Sequence, residues 1–280
     1  MKRRLHIRER HEQDGARKAP ERRGPSPSNK ANIYGALPVL EALRADRRAI
    51  ERIVVADGVR ESRLSDIIAL AKSKGIRLDH VSKDQIDRLA GHGANHQGVI
   101  AVAAAASYVD VDDILDSAGE DALLLVLDGV EDPQNLGTIL RVAECAGVGG
   151  VFIPERRAVG LTETVAKASA GAVEYTNVAK VSNLNRLIEE LKERNIWVIG
   201  TSGDAQTNYS AWDWNRPTAL VLGGEGHGLH RLVAENCDAL VKIPMYGKIE
   251  SLNVSTAASV ILFEIRRQRD VNSKRRAENG

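Results

Sequence analysis

The sequence predicts an α/β protein: a parallel sheet with helices on both faces, preceded by a smaller α/β domain. Three observations carry this expectation. "ALLLVLD" at 122–128 is an unbroken apolar run, as expected of a parallel strand covered on both faces. From there to the C-terminus strand-like and helix-like segments alternate, the pattern of a parallel sheet with crossover helices. Residues 31–106 alternate in the same way ahead of it, over a length that suits one small domain.

In chain order, residues 1–30 form a basic extension, expected to be disordered, that ends in the Pro/Ser/Gly-rich linker "ERRGPSPSNKAN". Ordered structure is expected to begin near Ile33. In the first domain "RIVVA" (52–56), "IRLDHVS" (76–82) and "GVIAVAAA" (98–105) read as strands, and "RLSDIIALAKSK" (63–74) reads as an amphipathic helix. The acidic stretch "SYVDVDDILDSAGED" follows, a connector over 107–120 with one short helix. The larger domain spans 121–270. After "ALLLVLD" its strands are "GGVFIP", "YTNVAKV", "IWVIGTSG", "TALVLGG" and "ALVKIPM". The helices between and after them are "LGTILRVAECAG", "TETVAKASAGAVE", "NLNRLIEELKERN", "GLHRLVAENC" and "NVSTAASVILFEIRRQ". A short basic tail, 271–280, closes the chain.

Composition narrows the function classes. Hydrophobic residues at 43% and charged residues at 28% fit a soluble globular protein. No apolar run reaches the roughly 18 residues of a membrane span, so no membrane partner is expected. "MKRRLHIRER" lacks the apolar core of a secretory signal. Cys145 and Cys237 stand far apart and read as buried thiols of a reducing cytoplasm. The net charge of +1 hides ten Lys/Arg against four Asp/Glu within residues 1–30. A basic tail on a near-neutral body suits a polyanion such as RNA, and equally a solvated tail without a partner.

Ligands of parallel α/β sheets sit at the carboxyl ends of strands, and three strand ends stand out. At the first, Asn135 lies where a helix should begin, and N-capping alone would account for it. Leu136, Leu140, Ala143 and Ala146 cluster on one side of that helix and Arg141 falls on the other. This is the place of a solvated arginine, and also, near a helix start, of an anion ligand. The second strand end is "LVLGGEGHGL" (220–229), where four glycines surround Glu225 and His227. It matches neither G-x-x-x-x-G-K-[ST] nor G-x-G-x-x-G, and Glu225 would repel a pyrophosphate. Its glycines read either as a tight turn or as a means for backbone to approach an uncharged or cationic ligand. At the third, Ser251, Asn253, Ser255 and Thr256 crowd a helix start. Capping explains one or two of the four. His92 and His96 have an i,i+4 spacing, but Gly91 and Gly93 argue against a helix and no third ligand is evident. No metal is expected.

"NLGTILR" (135–141), "LVLGGEGHGL" (220–229) and "IPMYGKIESLNVSTAASVILFE" (243–264), in this order on one sheet, resemble the three signature motifs of the SpoU (TrmH) family of RNA ribose 2′-O-methyltransferases. The resemblance covers about 120–268. It extends to the front domain, where "IYGALPVLEAL" and "HQGVIAV" look like that family's small, ribosomal L30e-like substrate-binding domain. The two-domain layout is most similar to members that methylate a guanosine of bacterial 23S rRNA; other members act on tRNA. The basic extension before Ile33 does not fit the family pattern.

The resemblance implies a SPOUT-type parallel sheet with a C-terminal deep trefoil knot, S-adenosyl-L-methionine as cofactor, rRNA as substrate and a homodimer. Cofactor contacts would fall to Thr201, Gly203, Gly223, Gly224, Ile243, Met245, Ser251 and Leu252. Arg141 would engage the RNA phosphate and help activate the ribose hydroxyl. Asn135 and Glu225 would hold Arg141 and the ribose, while Ser251 and Asn253 would serve the cofactor end. His96 and Gln97 would contact RNA from the front domain. A catalytically inactive RNA-binding protein is the alternative of a different class, and the joint presence of Asn135, Arg141, Glu225 and Asn253 speaks against it.

Overall fold

The computed structural model describes residues 30–91 and 94–278; the basic extension before Lys30 lies outside the described residues. In the first domain β1 (Lys30–Tyr34), β2 (Ile50–Ala56), β3 (Arg77–Val81) and β4 (Val99–Ala104) form a four-stranded sheet in the order β1-β4-β2-β3. β4 runs antiparallel to both neighbours, and β2 pairs with β3 in parallel. Helices α1 (Ala36–Ala45) and α2 (Ser65–Ser73) cover one face, setting Val39, Leu43 and Ile67 against Ile33, Ile53 and Val99. The other face takes α3 (Lys83–Ala90), whose buried Ile86 meets Val54 and Ile100.

The strands expected at 52–56, 76–82 and 98–105 are present as β2, β3 and β4. Three elements were not foreseen. β1 begins three residues ahead of Ile33 and takes in the end of the linker. α1 starts directly after Gly35. α3 buries one apolar residue, so it has almost no hydrophobic period to read; a Ser82–Gln85 capping box starts it instead.

The connector is more than a tether. Its helix α4 (Val111–Ser117) buries Ile114 and Leu115 against the large sheet, which at about 1.5–3 kcal/mol per buried aliphatic side chain ties it to that core.

The large sheet has seven strands, all paired in parallel, in the order β7-β6-β5-β10-β8-β11-β9. They are β5 (Leu123–Asp128), β6 (Gly150–Pro154), β7 (Val178–Val181), β8 (Trp197–Thr201), β9 (Thr207–Asn208), β10 (Thr218–Gly223) and β11 (Ala239–Lys242). All six residues of β5 are buried, as the apolar run demanded. Leu123, Leu125 and Leu127 face α5 (Pro133–Cys145), α6 (Glu163–Ala168) and α9 (Val254–Glu278). Leu124 and Val126 face α4, α7 (Leu184–Glu193) and α8 (Arg231–Asn236). The two-residue edge strand β9 is too short to leave a pattern in the sequence.

Helix α9 runs on to Glu278, so the basic cluster expected as a separate tail after 270 is mostly helical. Both cysteines differ from expectation: Cys145 is exposed at the end of α5 and Cys237 is half-buried. Burial pushes the Cys237 thiol up to about 12. Among the described residues no helix is long and apolar enough to cross a membrane.

The two domains meet along one interface. Arg48 and Glu174 form an ion pair whose side chains are 7% and 3% exposed. Around it, Arg47 donates to Asn177 at 2.8 Å and the Asn32 amide to Glu163 at 2.6 Å. Tyr175 donates to Glu41 at 2.7 Å, and burial together with that carboxylate pushes its phenol up to about 12.

Candidate active site

The strands run outward from β5 to β7, and the chain then fills the other side, with β10 inserted between β5 and β8. Sheet order therefore reverses beside β5 and β10, where a parallel sheet opens a crevice at its carboxyl edge. Asp128 ends β5 opposite Gly223 of β10. Buried Asp128 accepts from the His230 backbone amide at 2.7 Å and pairs with His230 Nδ1 at 2.8 Å. This locks the loop after β10 to the end of β5.

That loop is closed on itself. Gly224 and Gly228 pair as an isolated antiparallel bridge, and the Gly224 amide donates to Asp128 O at 2.8 Å. A Cβ on Gly223 would stand 2.1 Å from the Gly228 carbonyl carbon, and one on Gly224 would stand 2.2 Å from Gly129 O. No real Cβ sits that close. Of the two readings of these glycines, the tight turn holds at 223 and 224, where the missing side chains make room for the chain's own backbone.

The loop carries Glu225 to the starts of two helices. Asp132 caps α5, accepting from the Gln134 amide at 3.0 Å, and Pro133 occupies the first turn. Asn135 is therefore not the N-cap the sequence suggested. It lies three residues past the cap, in the first turn, is 7% exposed, and donates to Glu225 Oε1 at 2.6 Å. Asn253 starts α9, its Oδ1 accepting from the Ser255 amide at 2.9 Å and the Ser255 hydroxyl at 2.6 Å. Its amide nitrogen donates to Glu225 Oε1 at 2.8 Å and to Asn135 Oδ1 at 2.9 Å. Residues 135, 225 and 253 so form one closed polar cluster, and the carboxylate sits where two helix N-termini favour negative charge.

Arg141 does not join it. The side chain lies exposed on α5, with no hydrogen bond or ion pair among the described residues. The expectation that Asn135 and Glu225 hold Arg141 is not met, because both are engaged with Asn253.

Beside the cluster opens a cleft of about 680 Å³. Thr201 and Gly203 at and after the end of β8, Gly223 and Gly224 at and after the end of β10, and Ile243 and Met245 after β11 line it. Ser251 and Leu252, ahead of α9, complete the set assigned from sequence to the cofactor, and Glu225 and Asn253 also reach the cleft. Leu222, Val241 and Ile261 add apolar wall, while Asp204, Glu225 and Glu250 bring carboxylates against the lone Lys242. Such a lining suits a ligand with a flat apolar part and a cationic centre. S-adenosylmethionine, with its adenine and sulfonium, has that chemistry.

In the front domain His96 is committed to its own loop. Its Nδ1 accepts from the Gly98 amide at 3.0 Å and its Nε2 pairs with Asp87 at 2.7 Å. Both ring nitrogens are spent, which leaves the expected RNA contact without a free polar atom. Gln97 accepts from the Ala36 amide through Oε1 at 2.8 Å, leaving its side-chain nitrogen unengaged among the described residues. His92 lies outside the described residues. Among the described residues no group of three or more His, Cys, Asp or Glu could hold a metal ion.

Comparison with known proteins bears on the same regions. The model of the SpoU rRNA Methylase family matches residues 122–263, and that for RNA 2′-O ribose methyltransferase substrate binding matches 32–109. A TrmH-family protein of Bacillus subtilis, YacO, whose name gives tRNA or rRNA as its substrate, is 44% identical over 241 residues, 85% of this chain and 96% of that one. The 23S rRNA (guanosine-2′-O-)-methyltransferase RlmB of Xylella fastidiosa is 46% identical over 246 residues, 86% of this chain and 98% of the relative. The crystal structure of AdoMet-bound rRNA methyltransferase from Sinorhizobium meliloti aligns with a TM-score of 0.69 at 25% identity, covering 85% of this chain and 87% of that one.

Proposed function

The chain belongs to the SpoU rRNA methylase family, and we propose that it transfers a methyl group from S-adenosylmethionine to a ribose 2′-hydroxyl of RNA. The observation that carries this reading is the Asn135–Glu225–Asn253 cluster at the rim of the cleft. We assign the target to a guanosine of 23S rRNA, on the likeness to the Xylella protein over nearly its whole length. Such a substrate puts the reaction in the cytoplasm.

The cofactor, when bound, supplies a methyl group on a sulfonium centre. We assign its adenosine to Ile243, Met245 and Leu252, with Thr201, Gly203 and Ser251 as polar wall and Gly223 and Gly224 shaping the rim. The carboxylates of the lining favour its positive charge. A likeness to a structure with AdoMet bound supports this choice. Loops after β8, β10 and β11 meeting around one cleft is the arrangement a deep trefoil knot produces, and we read the C-terminal part in that way.

A ribose hydroxyl is a weak acid and must shed its proton as it attacks. Glu225 offers a fixed acceptor: two amides hold Oε1, and Oε2 has no partner among the described residues. We assign that oxygen to the ribose. The exposed guanidinium of Arg141 offers a planar fork of donors that suits the substrate phosphate. Its part is positioning and charge stabilisation. We further read the protein as a homodimer. Tyr246, Ile249 and Phe263 leave apolar surface around the start of α9 and on it; a monomer by light scattering at micromolar concentration would contradict this.

A tRNA target is the second reading, favoured by the name of the Bacillus relative. One experiment separates the two: mapping ribose methylation across all rRNA and tRNA in cells with and without the gene. The proposal expects one 23S rRNA guanosine to lose its methyl group. Loss confined to tRNA supports the second reading, and no loss in either contradicts both.

A further inference from the structure

The front domain, which matches the family's substrate-binding model as a whole, holds a cleft of about 820 Å³ for which that likeness names no occupant. It opens where the turn before α1, the segment after β2 and the loop before β4 converge, and it is lined by Arg60, Arg63, Gln97, Ala36, Val59 and Leu64 among others. Its chemistry is one-sided. Among the described residues no carboxylate lines it.

The two arginines are the unusual members. Within 30–104, Arg44, Arg48, Arg52 and Arg77 each pair with a carboxylate, Arg47 bonds Asn177 and Arg88 bonds a backbone carbonyl. Arg60 and Arg63 are exposed and have no side-chain partner among the described residues. Both free guanidinia of the domain therefore face one cleft. Gln97 adds a fixed donor, because Ala36 holds its oxygen and leaves the amide nitrogen unengaged. Its backbone sits at φ 54, a strained conformation for a residue with a side chain.

The cleft is also rigidly placed. Gly98, at φ +81, lies so close to Val59 that a Cβ there would be 2.3 Å from Val59 Cγ2. Lys167 of α6 donates to Asn95 O, which fastens the cleft's rim to the large domain. With the buried Arg48–Glu174 pair, this fixes the distance from the cleft to the large domain's carboxyl edge.

We propose that this cleft takes one unpaired nucleotide of the RNA, away from the methylated ribose, and so sets the register in which the target ribose is presented. Arg60 and Arg63 meet its phosphate. Ala36, Val59 and Leu64 receive the face of its base, and the Gln97 amide meets an acceptor on the base edge. An unpaired nucleotide fits because a paired one hides its base face, and protein readout of RNA favours unstacked bases. The inference rests on RNA being the substrate.

The test is equilibrium binding of a fluorescent RNA hairpin with an unpaired loop, beside a blunt duplex of the same stem. The intact protein should prefer the hairpin. Arg60→Ala/Arg63→Ala should lower hairpin affinity by about tenfold or more and flatten its salt slope by about 0.7, the share of the one phosphate the two arginines neutralise. Duplex affinity should change little. Gln97→Glu keeps the oxygen that Ala36 needs but puts a carboxylate where the donor was, and should lower hairpin affinity by about tenfold. Unchanged S-adenosylmethionine binding in each variant checks the fold. A free nucleoside monophosphate should compete weakly; tight competition would reassign the cleft to a soluble nucleotide and overturn the proposal. Equal losses on hairpin and duplex, or none, would overturn it too. If the intact protein binds the hairpin through this cleft yet methylates no RNA, the functional reading fails and the site stands. If it methylates RNA and the variants bind normally, only the site fails.

Discussion

Glu225 illustrates what single residues decide and how little of it shows in a sequence. Two amides, 90 and 28 positions away, converge on one of its oxygens. Each partner also has an ordinary local explanation: Asn253 does cap a helix, while Asn135 only seemed to. The sequence showed that polar residues gather at three strand ends, but which one touches which depends on sheet order. Glu225→Gln keeps an oxygen for the two amides and replaces the free oxygen with a donor. We expect S-adenosylmethionine binding and thermal stability to stay near normal while single-turnover methyl transfer falls by about 10- to 100-fold, the worth of a charge-assisted hydrogen bond. An unchanged rate would remove Glu225 from the ribose. The glycines of the same loop differ among themselves. Gly223→Ala drives a Cβ into the Gly228 backbone, so the loop must open; we expect about 1–3 kcal/mol of lost stability and weak cofactor binding by calorimetry. Gly226 has nothing within 4 Å but a φ of +83, so Gly226→Ala should cost only about 1–2 kcal/mol and leave binding largely intact.

Elements with a strong apolar period were readable, and those without one were not. β5, β10 and α7 carry their burial in their sequences. α3 buries one residue and β9 has two; neither leaves a signal. The length of α9 was also hidden, because residues 270–275 are mostly exposed and carry no apolar period. Its anchor is Arg269, which donates to the carbonyls of Asp121, Ala122, Trp214 and Arg216. In the segment "YSAWDWNRP" Trp214 is fully buried and its indole donates to Tyr209 O at 2.8 Å. Arg269→Ala removes four charge-assisted hydrogen bonds and leaves the Trp214 carbonyl unpartnered, although Thr218 still serves those of Ala122 and Arg216, and we expect it to lower stability by about 2–4 kcal/mol in denaturant melts. Among the described residues Arg267 pairs only with Glu264 one turn away on its own helix, at 62% side-chain exposure. Arg267→Ala should therefore change stability by under about 0.5 kcal/mol. Equal effects would mean that Arg269 does not anchor the helix.

For the whole molecule, the interface between domains matters most, and no reading of one chain segment could have found it. Arg48 lies between α1 and β2 and Glu174 follows α6; as isolated residues they read as ordinary surface charges. Buried together, they fasten the front domain to the sheet. Arg48→Ala would strand a buried carboxylate, and we expect a loss of about 3–5 kcal/mol. Arg48→Met with Glu174→Leu should recover much of it, because an apolar pair has no charge to desolvate. A double variant as unstable as the single one would mean that the pair's geometry, not its burial, holds the domains. The same fixed interface sets where RNA on the front domain meets the carboxyl edge that carries the reaction.

The central claim, methyl transfer to a ribose hydroxyl with Arg141 as the positioning cation, is tested most directly by single-turnover transfer of labelled methyl from S-adenosylmethionine to saturating 23S rRNA, digested afterwards to nucleosides. We predict that the label appears as 2′-O-methylguanosine. We also predict that Arg141→Ala slows transfer by about 1,000-fold while cofactor affinity is unchanged, as loss of a contact made in the transition state requires. Label on a base, or a near-normal rate in the Arg141→Ala protein, would contradict the account.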